Sequence, residues 1–425
     1  MDSTKRNIIS VASLIAIIVL LIVVKSIGGN RRPAEPSEPV TPTELLQATK
    51  VPTKKPTPKP TEAPKVTDAP EVTEAPTPTP TATPVPTQIP LPTAAPEYVA
   101  AAQKRLDTMS VDEKLYQLFV VTPEQLIGVS PVMNALDRTR RSIQDRPVGG
   151  LIFSAQNIAN QDQLKKLLAG CQNYSKRGLF LVISDETGSV TSGIGTHKID
   201  TLAAIGASGD VKKAETAALA LGRDLKSLGF SMNLAPVSDI QPQGSSTFGT
   251  DAKTTASFVA SYVKGCDAAG MPAVLSHFPV PASKSEKKLS ELKEAELLTF
   301  LAGMQAGAPV VMVGYADMTG LSTSGLPACL CPEVIDGLLR KELGYSRVVM
   351  TDALNKPSIT DHYNAGDAAV LAFKAGADLL YRPADLDAAF KALQAAVKNG
   401  TITEARLNES VLRILTLKAQ YGMIK

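Results

Sequence analysis

The chain is poor in cysteine and histidine, and its charges are near balance. Its cysteines (Cys171, Cys266, Cys329, Cys331) form no CxxC pair, and its three histidines complete no Cys/His ligand set, so no metal is expected. Cys171 and Cys266 fall inside helical patterns and read as small apolar fillers. Lys and Arg number 44 against 41 Asp and Glu, which leaves no basic footprint for nucleic acid. The first strand-like run continues as Leu118-Phe-Val-Val-Thr-Pro-Glu, without the Gly-rich turn that cradles a dinucleotide phosphate. No cofactor loop and no supported Schiff-base lysine stands out, and Lys356 reads as a solvated loop residue. No cofactor is expected.

What is present divides into parts. Residues 1–7 are a short polar head. Residues 8–24 (IISVASLIAIIVLLIVV) carry no charge and, as a helix, span about 26 Å, slightly under a ~30 Å hydrocarbon core. Lys25 can snorkel to make up the difference. The run is longer than the apolar region of a cleavable signal peptide and lacks an Ala-x-Ala site after it, so an uncleaved transmembrane anchor is expected. Residues 25–96 form a Pro/Thr-rich linker. Its 33–96 stretch holds 18 of the 31 prolines, too little apolar surface to offset ordering entropy, and reads as a disordered stalk. The short head and the large following domain predict a single-pass protein of the cell membrane with its C-terminal domain outside.

Residues 97–425 carry the chemistry. Ser110-x-x-Glu113 is a capping box that opens a helix. Strands are expected at 117–121, 150–154, 179–184, 232–237, 273–277, 310–314, 348–351 and 378–381, with amphipathic helices such as 211–228, 291–305 and 403–420 between them. Eight strands in βα alternation predict a (β/α)8 barrel, with a doubly wound sheet as the alternative. In a barrel, active groups stand where strands end. Those positions hold Asp185 and Glu186, then Asp239, His277 and Asp352. Asp185 and Asp352 end apolar runs abruptly (FLVISD, VVMTD), and a carboxylate there calls for a function. Asp239 has a second reading as a loop-orienting residue, and His277 as a satisfied core histidine.

The runs MSVDEKLYQLFVV, PVGGLIFSAQNI, DETGS, LGFSMNLAPVSDI, SHFP, VVMTDALN and HYNAGDAAVLAFKAGADLL make the domain resemble glycoside hydrolase family 3, its single-barrel β-N-acetylhexosaminidase branch. The resemblance implies a retaining hydrolysis of glycans containing N-acetylglucosamine, such as cell-wall-derived sugars, with an oxocarbenium-like transition state. It implies Asp352 as nucleophile, and Asp185 and His277 as sugar contacts; Asp239 joins them as a substrate-binding candidate from its strand-end position. The chain departs from the branch at strand 5. A Lys-His-Phe-Pro-Gly-His-Gly run is expected there, followed by an Asp; here Lys is replaced by Ser276 and Gly-His-Gly by Val280-Pro281-Ala282. The His-Asp dyad that protonates the leaving oxygen has no match. An Arg expected before Phe248 falls on Ser246, and the Arg expected within DETGSVTSGI is missing. Glu286, in the altered loop, is the first substitute acid the sequence offers, with His362 or Asp361 after the Asp352 strand as the others. Losing a general acid costs about 10²–10⁴ in rate. The sequence therefore leaves two functions open, a membrane-anchored hydrolase of reduced activity and a non-catalytic glycan- or protein-binding descendant.

Overall fold

The computed structural model describes residues 90–240, 246–281 and 285–424. Eight parallel strands occur at the eight expected places: β1 Phe119–Val121, β2 Gly150–Ile152, β3 Phe180–Ile183, β4 Met232–Asn233, β5 Val274–Phe278, β6 Val310–Val313, β7 Val348–Thr351 and β8 Leu380–Tyr381. They form a five-stranded sheet, β4-β3-β2-β1-β8, and a three-stranded sheet, β5-β6-β7. Single parallel bridges, Val237↔Ser276 and Met350↔Leu379, stand between the two sheets. Neighbours follow chain order and β8 returns to pair with β1, an arrangement without the order reversal of a doubly wound sheet.

The expected eight parallel strands in βα alternation are thus present, arranged as two sheets that meet at single bridges. At the β4–β5 junction the cause is covalent. Pro236 lies within the expected strand 232–237 and has no N–H to donate to a ladder. What remains there is local: Val274 N–H donates to the Ala235 carbonyl at 2.8 Å, and Ser238 N–H to the Ser276 carbonyl at 2.6 Å.

All strand residues except His277 are buried, which accounts for their near-continuous apolar sequences. The intervening helices cover them. Val211–Leu228 starts at an Asp210 cap and buries Ala214, Ala218, Leu221, Leu225 and Leu228, the spacing of a single helical face. It packs on Ala252–Ala268 so closely that a Cβ at Gly265 would stand 2.2 Å from the Glu215 carbonyl oxygen. The capping box of Ser110 and Glu113 forms as expected.

The last helix, Glu404–Gln420, buries Leu407, Val411, Ile414 and Leu415 and packs against the first described helix, Pro96–Leu106. Its polar side chains hold the ends where strands begin. Asp378, fully buried ahead of β8, accepts from Arg340 at 2.6 Å, Ser410 at 2.5 Å and Arg413 at 3.1 Å. Burial alone would raise this carboxyl, but the guanidiniums of Arg340, Arg413 and Arg406 outweigh it and hold it below the ordinary range. Among the described residues no helix is long and apolar enough to cross a membrane, and the expected span 8–24 lies outside them. The linker 25–96 lies outside them up to residue 89.

Candidate active site

Four carboxylates and one histidine leave the C-terminal ends of β3, β4, β5 and β7, as the strand-end rule predicts. Asn233 on β4 fixes the end of β3 by a reciprocal pair: Asp185 N–H donates to Asn233 Oδ1 at 3.0 Å, and Asn233 Nδ2 donates to the Asp185 carbonyl at 2.8 Å. The Asp185 carboxylate turns into its own loop. Its Oδ2 accepts from the Thr191 amide at 3.1 Å and the Thr191 hydroxyl at 2.9 Å, while Oδ1 is buried without a hydrogen-bond partner. Only 1% of Asp185 is exposed, so the expected sugar contact is covered by protein in this geometry.

Asp239 ends the run after β4 and is 2% exposed. Its Oδ1 accepts the backbone N–H of His277 at 2.9 Å, and its Oδ2 lies 3.0 Å from His277 Nδ1. The loop-orienting alternative therefore describes Asp239 better than direct sugar contact does: it sets both the backbone and the ring of His277. That ring is 35% exposed and presents Nε2 at 4.0 Å from Asp352 Oδ2. Burial would lower the imidazole pKa, but the Asp239 hydrogen bond and the charges of Asp239, Asp352 and Glu186 overcome it and raise it above its ordinary value. His277 is thus biased toward an imidazolium between carboxylates rather than a neutral core histidine.

Asp352 follows β7. Its amide donates to the Val313 carbonyl at 2.9 Å, and its Oδ1 accepts from the Ala353 amide at 2.6 Å. The side chain remains 19% exposed, which leaves Oδ2 a route to a ligand. Tyr315 and Tyr381, which the strand-end list omitted, belong to the same wall. The Tyr315 hydroxyl donates to the Ala353 carbonyl at 2.6 Å. Burial, then the nearby Asp352 charge, pushes the Tyr315 phenol above its ordinary range. Tyr381 is raised too, chiefly by burial and with a smaller part from Asp352. Both could have been found by extending the strand-end rule to residues flanking β6 and β8.

Glu186, next to Asp185, is half-buried and hydrogen-bonded to Ser246, the residue at the position of the family's expected Arg. Burial raises its carboxyl above the ordinary range and Asp185 adds to this, against the opposing effects of Ser246 and His277. Glu286, the sequence's substitute acid, is exposed. Its segment packs on the loop after β6: Ser285 N–H donates to the Asp317 carbonyl at 2.8 Å, and a Cβ at Gly320 would meet the Glu286 carbonyl oxygen at 2.5 Å. Ser276, in place of the expected lysine, is 3% exposed and packed at the β4–β5 junction, so it does not widen the site. Among the described residues no group of His, Cys, Asp and Glu is arranged to hold a metal.

A β-N-acetylglucosaminidase/β-glucosidase of Cellulomonas fimi is 28% identical over 351 residues, covering 76% of this chain and 60% of the relative. A β-hexosaminidase of Stenotrophomonas maltophilia is 29% identical over 248 residues, 53% of this chain and 73% of the relative. The solved structure of a glycoside hydrolase family 3 β-N-acetylglucosaminidase from Paenibacillus sp. superposes with a TM-score of 0.69 at 31% identity, over 74% of this chain and 63% of that one. The chain thus spans about 60% of the length of its longer relatives. The model of the glycosyl hydrolase family 3 N-terminal domain matches residues 110–417, and this chain belongs to that family.

Proposed function

We propose that this protein is a membrane-anchored, retaining glycoside hydrolase that acts on glycans containing N-acetylglucosamine through Asp352. The observation that carries the reading is the Asp239–His277–Asp352 chain at the strand ends, in which a partly exposed carboxylate faces an imidazole held from behind. Asp352 attacks the anomeric carbon and forms a glycosyl ester as the leaving oxygen departs, and water then cleaves the ester. The names of the relatives support the N-acetylglucosamine preference. The charge-free run 8–24 and the Pro/Thr tract support anchoring, with the domain held outside the cell membrane on a stalk.

Turnover on natural glycans is weak in this reading. The strand-5 dyad is missing, and expected cationic sugar contacts, at about 1.5–3 kcal/mol each, are lost as well. Hydrolysis of an activated aryl N-acetyl-β-glucosaminide by the full chain, compared with Asp352→Asn, tests the reading. Turnover that the variant abolishes supports it. Turnover that the variant leaves intact removes Asp352 from the chemistry.

A second reading, a glycan- or protein-binding module without turnover, is favoured by the covering of Asp185 by its own loop. Calorimetry with N-acetylglucosamine oligomers that shows binding in the absence of any hydrolysis would select it.

A further inference from the structure

Retaining hydrolysis needs a proton donor on the side of the anomeric carbon away from the nucleophile, because the leaving oxygen departs opposite the attacking carboxylate. His277 does not meet this requirement. Its Nδ1 is committed to Asp239 and its Nε2 faces Asp352, so it stands on the nucleophile's side.

The strand order shows where the opposite side comes from. With β4 bridged to β5 and β7 to β8, the neighbour order places β3 four positions from β7 in either direction. Asp352 leaves the end of β7 and Glu186 leaves the end of β3. His277, on β5 midway between them, is 4.0 Å from Asp352 and within the electrostatic reach of Glu186. Glu186 and Asp352 therefore approach the histidine from opposite parts of the rim. Ser246, where the family resemblance leads one to expect an Arg, gives Glu186 a neutral hydroxyl as a hydrogen-bond partner.

We propose, on the basis of the hydrolase reading above, that Glu186 is the acid/base residue of this chain and replaces the missing strand-5 His-Asp dyad. In the first step the C1–O bond breaks as an Asp352 oxygen bonds to C1. The Glu186 carboxyl gives its proton to the departing oxygen, yielding a free alcohol, a glycosyl ester on Asp352 and a Glu186 carboxylate. In the second step that carboxylate takes a proton from water, whose oxygen attacks C1 and displaces Asp352. The product is the free sugar, with Asp352 ionised and Glu186 protonated as at the start. The charged and titratable groups around Glu186 are Asp185 on its own loop, His277 on β5 and Tyr262 from the helix Ala252–Ala268. Burial and Asp185 keep its carboxyl protonated to higher pH than an ordinary glutamate, as a donor requires.

The test uses the full chain with two substrates, N,N′-diacetylchitobiose and 2,4-dinitrophenyl N-acetyl-β-glucosaminide. Glu186→Gln should lower kcat/KM on the disaccharide about 10²–10⁴-fold, and on the dinitrophenyl substrate, whose leaving group needs no proton, less than ~10-fold. Glu186→Ala should hydrolyse the dinitrophenyl substrate faster in azide and release the β-glycosyl azide. Equal losses on both substrates, or azide rescue of Glu286→Ala in place of Glu186→Ala, would overturn the assignment. Parent activity that Asp352→Asn abolishes but Glu186→Gln leaves untouched would overturn it alone. Failure of the parent to cleave either substrate would overturn it together with the hydrolase reading.

Discussion

Asp239 holds His277 at two points, the backbone amide at 2.9 Å and ring Nδ1 at 3.0 Å, across 38 residues of sequence. A carboxylate that grips both peptide and ring leaves the imidazole one orientation, with Nε2 toward Asp352. Replacing Asp239 by Asn removes the negative charge behind the ring and keeps the size of the side chain. The His277 pKa should then fall toward its ordinary ~6.5. Because the folded-state pKa of His277 is raised, its contribution to stability is fully present below ~6.5 and is lost as pH rises through the raised value. Asp239→Asn should therefore cost most at acidic pH, about 1–3 kcal/mol with part of the ring open to solvent, and less on the alkaline side. Ring-proton NMR and urea unfolding from pH 5 to 9 would show both effects. A penalty that does not vary with pH would contradict this account of His277.

Lys418 gives a pH dependence of opposite origin. It is fully buried and donates to Gln117 Oε1 at 2.7 Å and to the Gly178 carbonyl at 2.8 Å, both neutral acceptors. Burial lowers its pKa to about 7. The unfolded chain holds this proton up to ~10.4, so it binds more protons than the folded chain between the two values, and stability should rise with pH there. Parent stability measured against Lys418→Met should gain about 1.4 kcal/mol per pH unit between pH 8 and 9. A difference that stays level across that window would show that the ammonium is not desolvated in the fold.

Gly320 sets the position of the altered strand-5 segment. A Cβ there would stand 2.2 Å from the Lys287 carbonyl oxygen and 2.5 Å from that of Glu286. Gly320→Ala must displace backbone and should cost about 1–3 kcal/mol in urea unfolding. Hydrolysis of an activated aryl glycoside should stay within a few fold of the parent, because Asp352 is held from β7 and Ala353. A large loss of that activity with an unchanged stability would bring the segment into the catalytic machinery.

Much of this was legible in the sequence because strand ends are marked by abrupt polarity. FLVISD and VVMTD announce Asp185 and Asp352, and seven strands lie inside the expected runs, with β5 running one residue beyond its own, to Phe278. The helix Val211–Leu228 matches its expected limits, since Asp210 and Gly229 mark both ends. The expected helix 291–305 is divided at Ala295, whose backbone (φ −136°, ψ −88°) leaves the helical region without a Gly or Pro to announce it. Pairing across the rim was not legible. That Asp239 serves His277 depends on a contact between segments 38 residues apart, and that Asp185 turns to Thr191 depends on a loop conformation; local patterns encode neither. The sequence places Glu186 at the end of strand 3 but gives it no role, because its burial and its Ser246 partner come from the folded chain.

The central claim is that Asp352 forms a covalent bond to the sugar. Incubating the full chain with 5-fluoro-N-acetyl-β-glucosaminyl fluoride, followed by peptide mass spectrometry, tests it most directly. The account predicts a glycosyl adduct on the peptide that contains Asp352, and none in Asp352→Asn. An adduct on another carboxylate, or turnover of an activated substrate with no adduct trapped at Asp352, would contradict it.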